Sequence, residues 1–187
     1  MKTYIIPAIR LTLVMIVLLC VIYPAIIFGI GRLSVGGGDG EKITVNGRTV
    51  GYALIGQKFD DDKYFWSRPS AVDYNAAGSA GSNKGPSNPD YQKTVEERIA
   101  NFEKHNPGVK RSDIPAEMVT ASGSGLDPDI SPISAEIQVA RIVKVRDVSA
   151  DKVDALVRSH TEAPVLGLFG PSKINVLKLN IALDELK

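Results

Sequence analysis

The side chains best suited to chemistry lie in two stretches rich in small residues. Residues 75–90 read NAAGSAGSNKGPSNPD and set Lys84 among glycines, the setting in which a backbone cradles phosphate. Gly85 follows Lys84 where a phosphate-binding loop needs Ser or Thr, and the run does not sit between a clear strand and a helix. Residues 121–131, ASGSGLDPDIS, offer Ser122 and Ser124 as hydroxyl nucleophiles, with His105 and His160 as the two imidazole bases in the chain. Nothing in the spacing pairs them, and neither a G-x-S-x-G elbow nor an aspartyl-phosphate motif is present. Asp127 and Asp129 could chelate a cation, while Pro128 between them favours a turn. Both histidines fall near expected helix ends, where an imidazole meets the negative end of the helix dipole.

Composition narrows the class further. The chain has 187 residues, 44% of them hydrophobic and 23% charged, which excludes a disordered polyelectrolyte and leaves room for one ordinary domain plus an appendage. One cysteine and two histidines exclude a disulfide framework and argue against a structural zinc site. The net charge is +1, but residues 1–32 carry +3, so the remainder sums to −2. A mildly acidic body without a basic block is a poor nucleic-acid binder.

The elements that must position these residues begin with an apolar run. Residues 11–30, LTLVMIVLLCVIYPAIIFGI, hold seventeen hydrophobic residues in twenty and no charge. Twenty residues of helix cover about 30 Å, the thickness of a bilayer's hydrocarbon core. A cleaved leader would carry a shorter apolar region, although Gly29 and Gly31 leave a small-x-small pattern open. Cys20 reads as a small apolar residue of this span. Lys2 and Arg10 precede the span and Arg32 alone follows it closely, so the positive-inside rule puts the N-terminus in the cytoplasm. The expected organisation is a short cytoplasmic segment over 1–10, a transmembrane helix over 11–31, a Gly-rich linker over 32–41 and an extracytoplasmic domain over 42–187. Within the linker, residues 35–40 read VGGGDG.

In that domain, Asn46-Gly47 between β-prone runs predicts a hairpin with strands near 42–45 and 48–55. Asn88-Pro89 predicts a capped helix start, with Tyr91, Val95, Ile99 and Phe102 on one face and an end at residues 106–108. Ser131-Pro132 predicts another, running to about Val145, with Ile133, Ile137 and Ala140 inward and Ser134, Gln138 and Arg141 on a different face. A third opens at Ser149 and groups Val153, Leu156 and Val157. In the tail, Leu177, Leu179 and Ile181 alternate with Lys178 and Asn180, which predicts a strand over 174–183. The expected fold is α+β: one N-terminal transmembrane helix followed by a small mixed α/β extracytoplasmic domain.

Several runs carry a resemblance. They are LIGQ at 54–57, YFWSRPSA at 64–71, DYN at 73–75, GPSNP at 85–89, VTASGSGLDP at 119–128, ISP at 130–132, Ala135, Gln138 and Arg141, NVL at 175–177 and LNIALD at 179–184. In this order, nearly end to end and with the N-terminal span, the chain resembles the C subunits of the Kdp potassium-transporting ATPases. The resemblance implies a non-catalytic subunit of a high-affinity, ATP-driven potassium uptake complex in the bacterial inner membrane. The implied partners are a channel-like potassium-binding subunit, a P-type ATPase catalytic subunit and a small membrane peptide. ATP and potassium would then be handled by the complex, with no cofactor bound covalently here.

The same resemblance implies a catalytic chaperone that raises the ATP affinity of the catalytic subunit, with Gln138 proposed to meet the nucleotide. Read from the residues alone, Gln138 is a helix-surface side chain making a solvated or interface hydrogen bond, and an outward-facing domain keeps it from cytoplasmic ATP. Interface candidates are Tyr64, Trp66, Arg68, Tyr74, Asn88 and Asp127, since aromatic and Arg residues dominate such contacts. Tyr64 and Trp66 equally suit the domain's own core. The rival class is a membrane-anchored periplasmic ligand-binding domain or enzyme unrelated to a pump.

Overall fold

The computed structural model describes residues 2–186; Met1 and Lys187, the ends of the expected cytoplasmic segment and of the domain, lie outside them. The chain forms two compact units, 1–42 and 43–187. The first is helical from the start: α1 (Lys2–Ile16), a π-helical stretch (Val17–Ile22) and α2 (Tyr23–Arg32). The helix thus begins well before residue 11. The helical run Thr3–Arg32, thirty residues, is long and apolar enough to cross a membrane: its most apolar eighteen-residue window has a mean hydropathy of 2.9 and none of it is buried. The π stretch lies just ahead of Pro24, which has no N–H to give the Cys20 carbonyl. Large apolar side chains point outward all round, so this unit needs an apolar medium to cover it.

The second unit opens with the expected hairpin, β1 (Lys42–Val45) and β2 (Arg48–Tyr52), paired as a two-stranded sheet. Asn46 and Gly47 take φ of 51° and 77°, the two left-handed positions a type I′ turn requires. Then come α3 (Pro89–His105), β3 (Asp129–Ile130), α4 (Pro132–Arg146), α5 (Ala150–Ser159), β4 (Ile174–Asn175) and α6 (Val176–Glu185). β3 and β4 pair antiparallel, Asp129 with Asn175 and Ile130 with Ile174. The core gathers Phe65, Phe102, Ile130, Ile142, Val153, Ile174, Leu179 and Leu183 between the four helices and this short sheet.

Helix starts follow the sequence signals. Asn88 accepts a hydrogen bond from Tyr91 N and Ser131 from Ser134 N, each with Pro at the first helical position. α5 buries Val153 and Val157 and half-buries Leu156, as its spacing predicts.

Two expectations are corrected. The tail is a helix beyond Asn175, whose side chain accepts from Lys178 N and caps α6. Val176, Leu179, Asn180 and Leu183 are buried at helical spacing, and that pattern outweighs the alternation of Leu177, Leu179 and Ile181. α4 is rotated about its axis from the expected face, although Ile137 stays half-buried against the core. Ser134, Gln138 and Arg141 are buried, whereas Ile133 is 61% exposed and Ala140 lies on the surface.

The helical register of α6 has a measurable signature. Leu179→Ala removes a fully buried side chain and should cost about 2–5 kcal/mol in urea unfolding of the detergent-solubilised chain. Ile181→Ala, half-buried here, should cost clearly less. Equal losses would restore the alternating pattern of a strand.

Candidate functional site

The site is built around residues 62–68, a turn over 62–64 running into irregular backbone outside both two-stranded sheets, with Phe65 and Ser67 buried and most of the others half-buried. Buried backbone N–H and C=O groups must find partners, and a segment outside a sheet has no neighbouring strand to supply them. Here helix side chains take that role. Asn180 of α6 accepts from Phe65 N at 2.9 Å and donates to Phe65 O at 3.0 Å. Gln138 of α4 accepts from Trp66 N at 2.7 Å, donates to Ser134 O at 2.8 Å and reaches Trp66 O at 3.5 Å. Arg141 donates to Tyr64 O at 3.0 Å and to Asp62 O, to Gln138 Oε1 at 2.8 Å and to Asn106 Oδ1 at 2.9 Å. Its guanidinium lies over the Trp66 ring, 4.7 Å from the centroid. Burial pushes the Arg141 pKa down to about 10 against the pull of Asp62 and Asp61, a level at which it stays charged at neutral pH.

The aromatic candidates belong to this assembly. Trp66 packs edge-on to Phe102 and tilted against His105, with centroids 6.2 and 5.1 Å apart. His105, at the end of α3, contacts Asp62 through Nδ1 at 2.8 Å. Tyr64 donates to Asp184 at 2.9 Å, and Arg146 of α4 bridges Asp184 and the Lys63 carbonyl, each at 2.6 Å, with its guanidinium over the Tyr64 ring. Tyr64 and Trp66 both pack against the core.

The two small-residue loops meet on the other side. Arg68 pairs with Asp127 at 2.8 Å, and Tyr74 donates to the Arg68 carbonyl. Burial pushes the Tyr74 phenol up to about 12, with a Ser67 hydrogen bond pulling the other way, so it remains a neutral donor. Ser70 donates to Gly125 O at 2.7 Å and accepts from Val72 N and Tyr74 N. Ser79 donates to Ser124 O at 3.0 Å. Gly125 has φ +67°, and a Cβ there would stand 2.6 Å from Val72 Cγ2 and 2.8 Å from Ala80 O, so only glycine fits.

Of the expected site residues, Tyr64, Trp66 and Gln138 come together on the 62–68 segment. Arg68, Tyr74 and Asp127 meet at the loop junction, and Asn88 stands apart as the α3 cap. Gln138 is fully buried, not on the helix surface. Asp129 pairs with Lys173 at 2.8 Å. The hydrogen bonds of His105 go to Asp62 and those of His160 to Ser159 and Leu156 O, not to Ser122 or Ser124. Among the described residues, no group of three or more His, Cys, Asp or Glu is placed to hold a metal ion.

Sequence reasoning missed Asn180, Asn106, Arg146 and Glu117. A helical reading of residues 176–183 would have set Asn180 on the apolar face and exposed it as a buried polar group.

Glu117 accepts from Ser131 N at 2.9 Å and from the Ser134 hydroxyl, joining the segment before the second loop to the start of α4. Burial alone would raise its pKa. The hydrogen bonds from Ser131 and Ser134, with help from the Arg68 charge, outweigh burial and hold the carboxyl below its ordinary range.

Fold and site together define a small α+β head that follows an apolar helix, with buried polar side chains of α4 and α6 hydrogen-bonded to the head's own backbone. The family described as KdpC, the c chain of K+-transporting ATPases, matches residues 5–185. A potassium-transporting ATPase KdpC subunit of Flavobacterium psychrophilum is 57% identical over 178 residues, covering 95% of this chain and 96% of the relative. One from Bacteroides fragilis is 49% identical over 190 residues, covering 100% and 99%, and one from Bacillus cereus is 44% identical over 182 residues, covering 96% and 94%. The chain belongs to the KdpC family.

Glu117 predicts an acid sensitivity. Its depressed folded pKa contributes stability that is present above the ordinary carboxylate range and lost as pH falls through the folded value. Glu117→Gln should therefore cost about 1 kcal/mol at neutral pH, a modest figure because the group is partly exposed. The gap to the wild type should close in acid when thermal unfolding is followed against pH. A gap independent of pH would assign the loss to packing.

Proposed function

We propose that this chain is a non-catalytic subunit of a potassium-transporting ATPase of the bacterial inner membrane, promoting assembly and stabilising the complex. The observation that carries this reading is a family match spanning both the apolar helix and the head, residues 5–185. The partners are a channel-like potassium-binding subunit, a P-type ATPase subunit that hydrolyses ATP, and a small membrane peptide. ATP and potassium are handled by the complex, with no cofactor bound covalently to this chain.

The N-terminus faces the cytoplasm and the head the periplasm or extracellular space. This reading is supported by Lys2 and Arg10 before the span against Arg32 behind it. On that side, a chaperone effect on ATP affinity passes through subunit contacts, and Gln138 supports it from inside the head. Its amide is already engaged with Trp66, Ser134 and Arg141. The outward face of α4, with Ile133 61% and Val145 50% exposed, supplies apolar surface for such contacts.

Deleting residues 40–187 while keeping the span should lower both recovery of the purified complex and its potassium-stimulated ATPase activity. Normal yield and activity would remove the assembly role. Topology is read separately by protease added to inverted inner-membrane vesicles, where the head should stay intact; its digestion there would reverse the orientation.

A further inference from the structure

Outside the span, the most concentrated apolar exposure lies in a hairpin between α5 and β4. Residues 163–172 read APVLGLFGPS, ten residues without a charge. Val165, Leu166, Leu168 and Phe169 are 67%, 84%, 81% and 64% exposed. This is no loose loop. Its base is closed by Glu162 and Lys173, which exchange backbone hydrogen bonds at 2.8 and 3.1 Å. At the tip Val165 and Phe169 exchange another pair at 2.9 and 3.0 Å, while Gly167 N donates to Pro164 O and Leu168 N to Val165 O. Leu166 at φ 55° and Gly167 at φ 71° turn the chain. An ordered element thus presents four large apolar side chains to its surroundings.

The surroundings that suit it can be argued from its backbone. In hydrocarbon, each exposed N–H must be satisfied within the protein. Here Val165, Gly167, Leu168 and Phe169 donate inside the tip, and Pro164 and Pro171 have no N–H. A tip closed in this way has few donors left for pairing with another chain's strand. Its chemistry is that of a membrane-dipping finger: apolar, uncharged and with most of its N–H groups bonded within the tip, Leu166 and Gly170 excepted. The chain also carries its own membrane segment. Only nine residues, 33–41, separate Arg32 from Lys42, a tether of roughly 35 Å at full stretch.

We propose that the hairpin over residues 164–170 inserts its apolar tip into the bilayer that the chain's own span crosses. This second contact lies on the side where the head resides and holds the head at the lipid surface. It goes beyond the pump-subunit reading, because it requires only the anchor and the tip.

The full chain, carrying Cys20→Ala and Leu168→Cys labelled with an environment-sensitive fluorophore, is reconstituted without other subunits. The vesicles are phosphatidylethanolamine and phosphatidylglycerol doped with lipids bearing shallow nitroxides. Label at residue 168 should emit to the blue of label at Ala155→Cys on the exposed side of α5, and only the former should be quenched by the nitroxides. Adding Leu166→Asp and Phe169→Asp should return the residue 168 signal to that of water. An unquenched label at 168 overturns the proposal. Water-like emission would then leave the tip in solvent, and blue emission without quenching would place it against protein, a second copy in this preparation. Because no ATPase is present, either failure leaves the subunit assignment standing.

Discussion

A buried peptide without a partner strand is the constraint on which the head is built. Phe65 is fully buried in irregular backbone, and its N–H and C=O, with those of Trp66, have no sheet to join. Each such group left unmet costs about 1–3 kcal/mol. A primary amide is the side chain that can donate and accept at once, as a neighbouring strand would. Asn180 does this for Phe65 and Gln138 for Trp66. A carboxylate could only accept, so the choice of Asn and Gln follows from the task. Arg141 then answers the carbonyls of Asp62 and Tyr64 and the remaining demand of Gln138 Oε1, with the Trp66 face as a further partner. Burying a guanidinium is costly unless its donors are met; here they find Asp62 O, Tyr64 O, Gln138 Oε1 and Asn106 Oδ1, with the Asp62 carboxylate 3.8 Å away.

From this follows the orientation of α4. Helical periodicity assigns Ile133, Ile137 and Ala140 to the core, because apolar stripes ordinarily face inward. The backbone of residues 62–66 needs polar partners, and Gln138 and Arg141 turn in to meet it, beside Ala135, Val139 and Ile142 in the core and with Ile137 half-buried. Nothing local to α4 announces that demand, since it comes from a segment some seventy residues earlier in the chain. What was legible had a local cause: Asn46-Gly47 at the hairpin, Asn88-Pro89 and Ser131-Pro132 at helix starts, and an uncharged run long enough for a membrane. The tail was misread because the alternation of Leu177, Leu179 and Ile181 competes with a helical repeat of 176, 179, 180 and 183. The Asn175 cap and the packing of Leu179 and Leu183 decide for the helix.

The small-residue loops are ordered by the same kind of long-range demand. Residues 75–90 contain little regular structure of their own, a length at which a loop inside a domain needs a reason. The reason is close approach to the second loop. A Cβ on Gly81 would stand 3.1 Å from the Gly123 carbonyl oxygen, and one on Gly125 would strike Val72. Ser70 and Ser79 then bond across the seam, and Arg68–Asp127 closes its end. Gly81, Gly125, Ser70 and Ser79 thus serve the contact between the loops, although the composition first suggests a phosphate cradle or a nucleophile.

The head buries an apolar core and still leaves large apolar side chains uncovered. They lie at Ile133 and Val145 of α4 and on the 164–170 hairpin, besides the uncovered span. A surrounding medium or subunit adds most to such a molecule by covering apolar surface, because water gains from that burial without any new bond being required. The buried amide clamps of Asn180 and Gln138 help to set the shape of the surface the head offers.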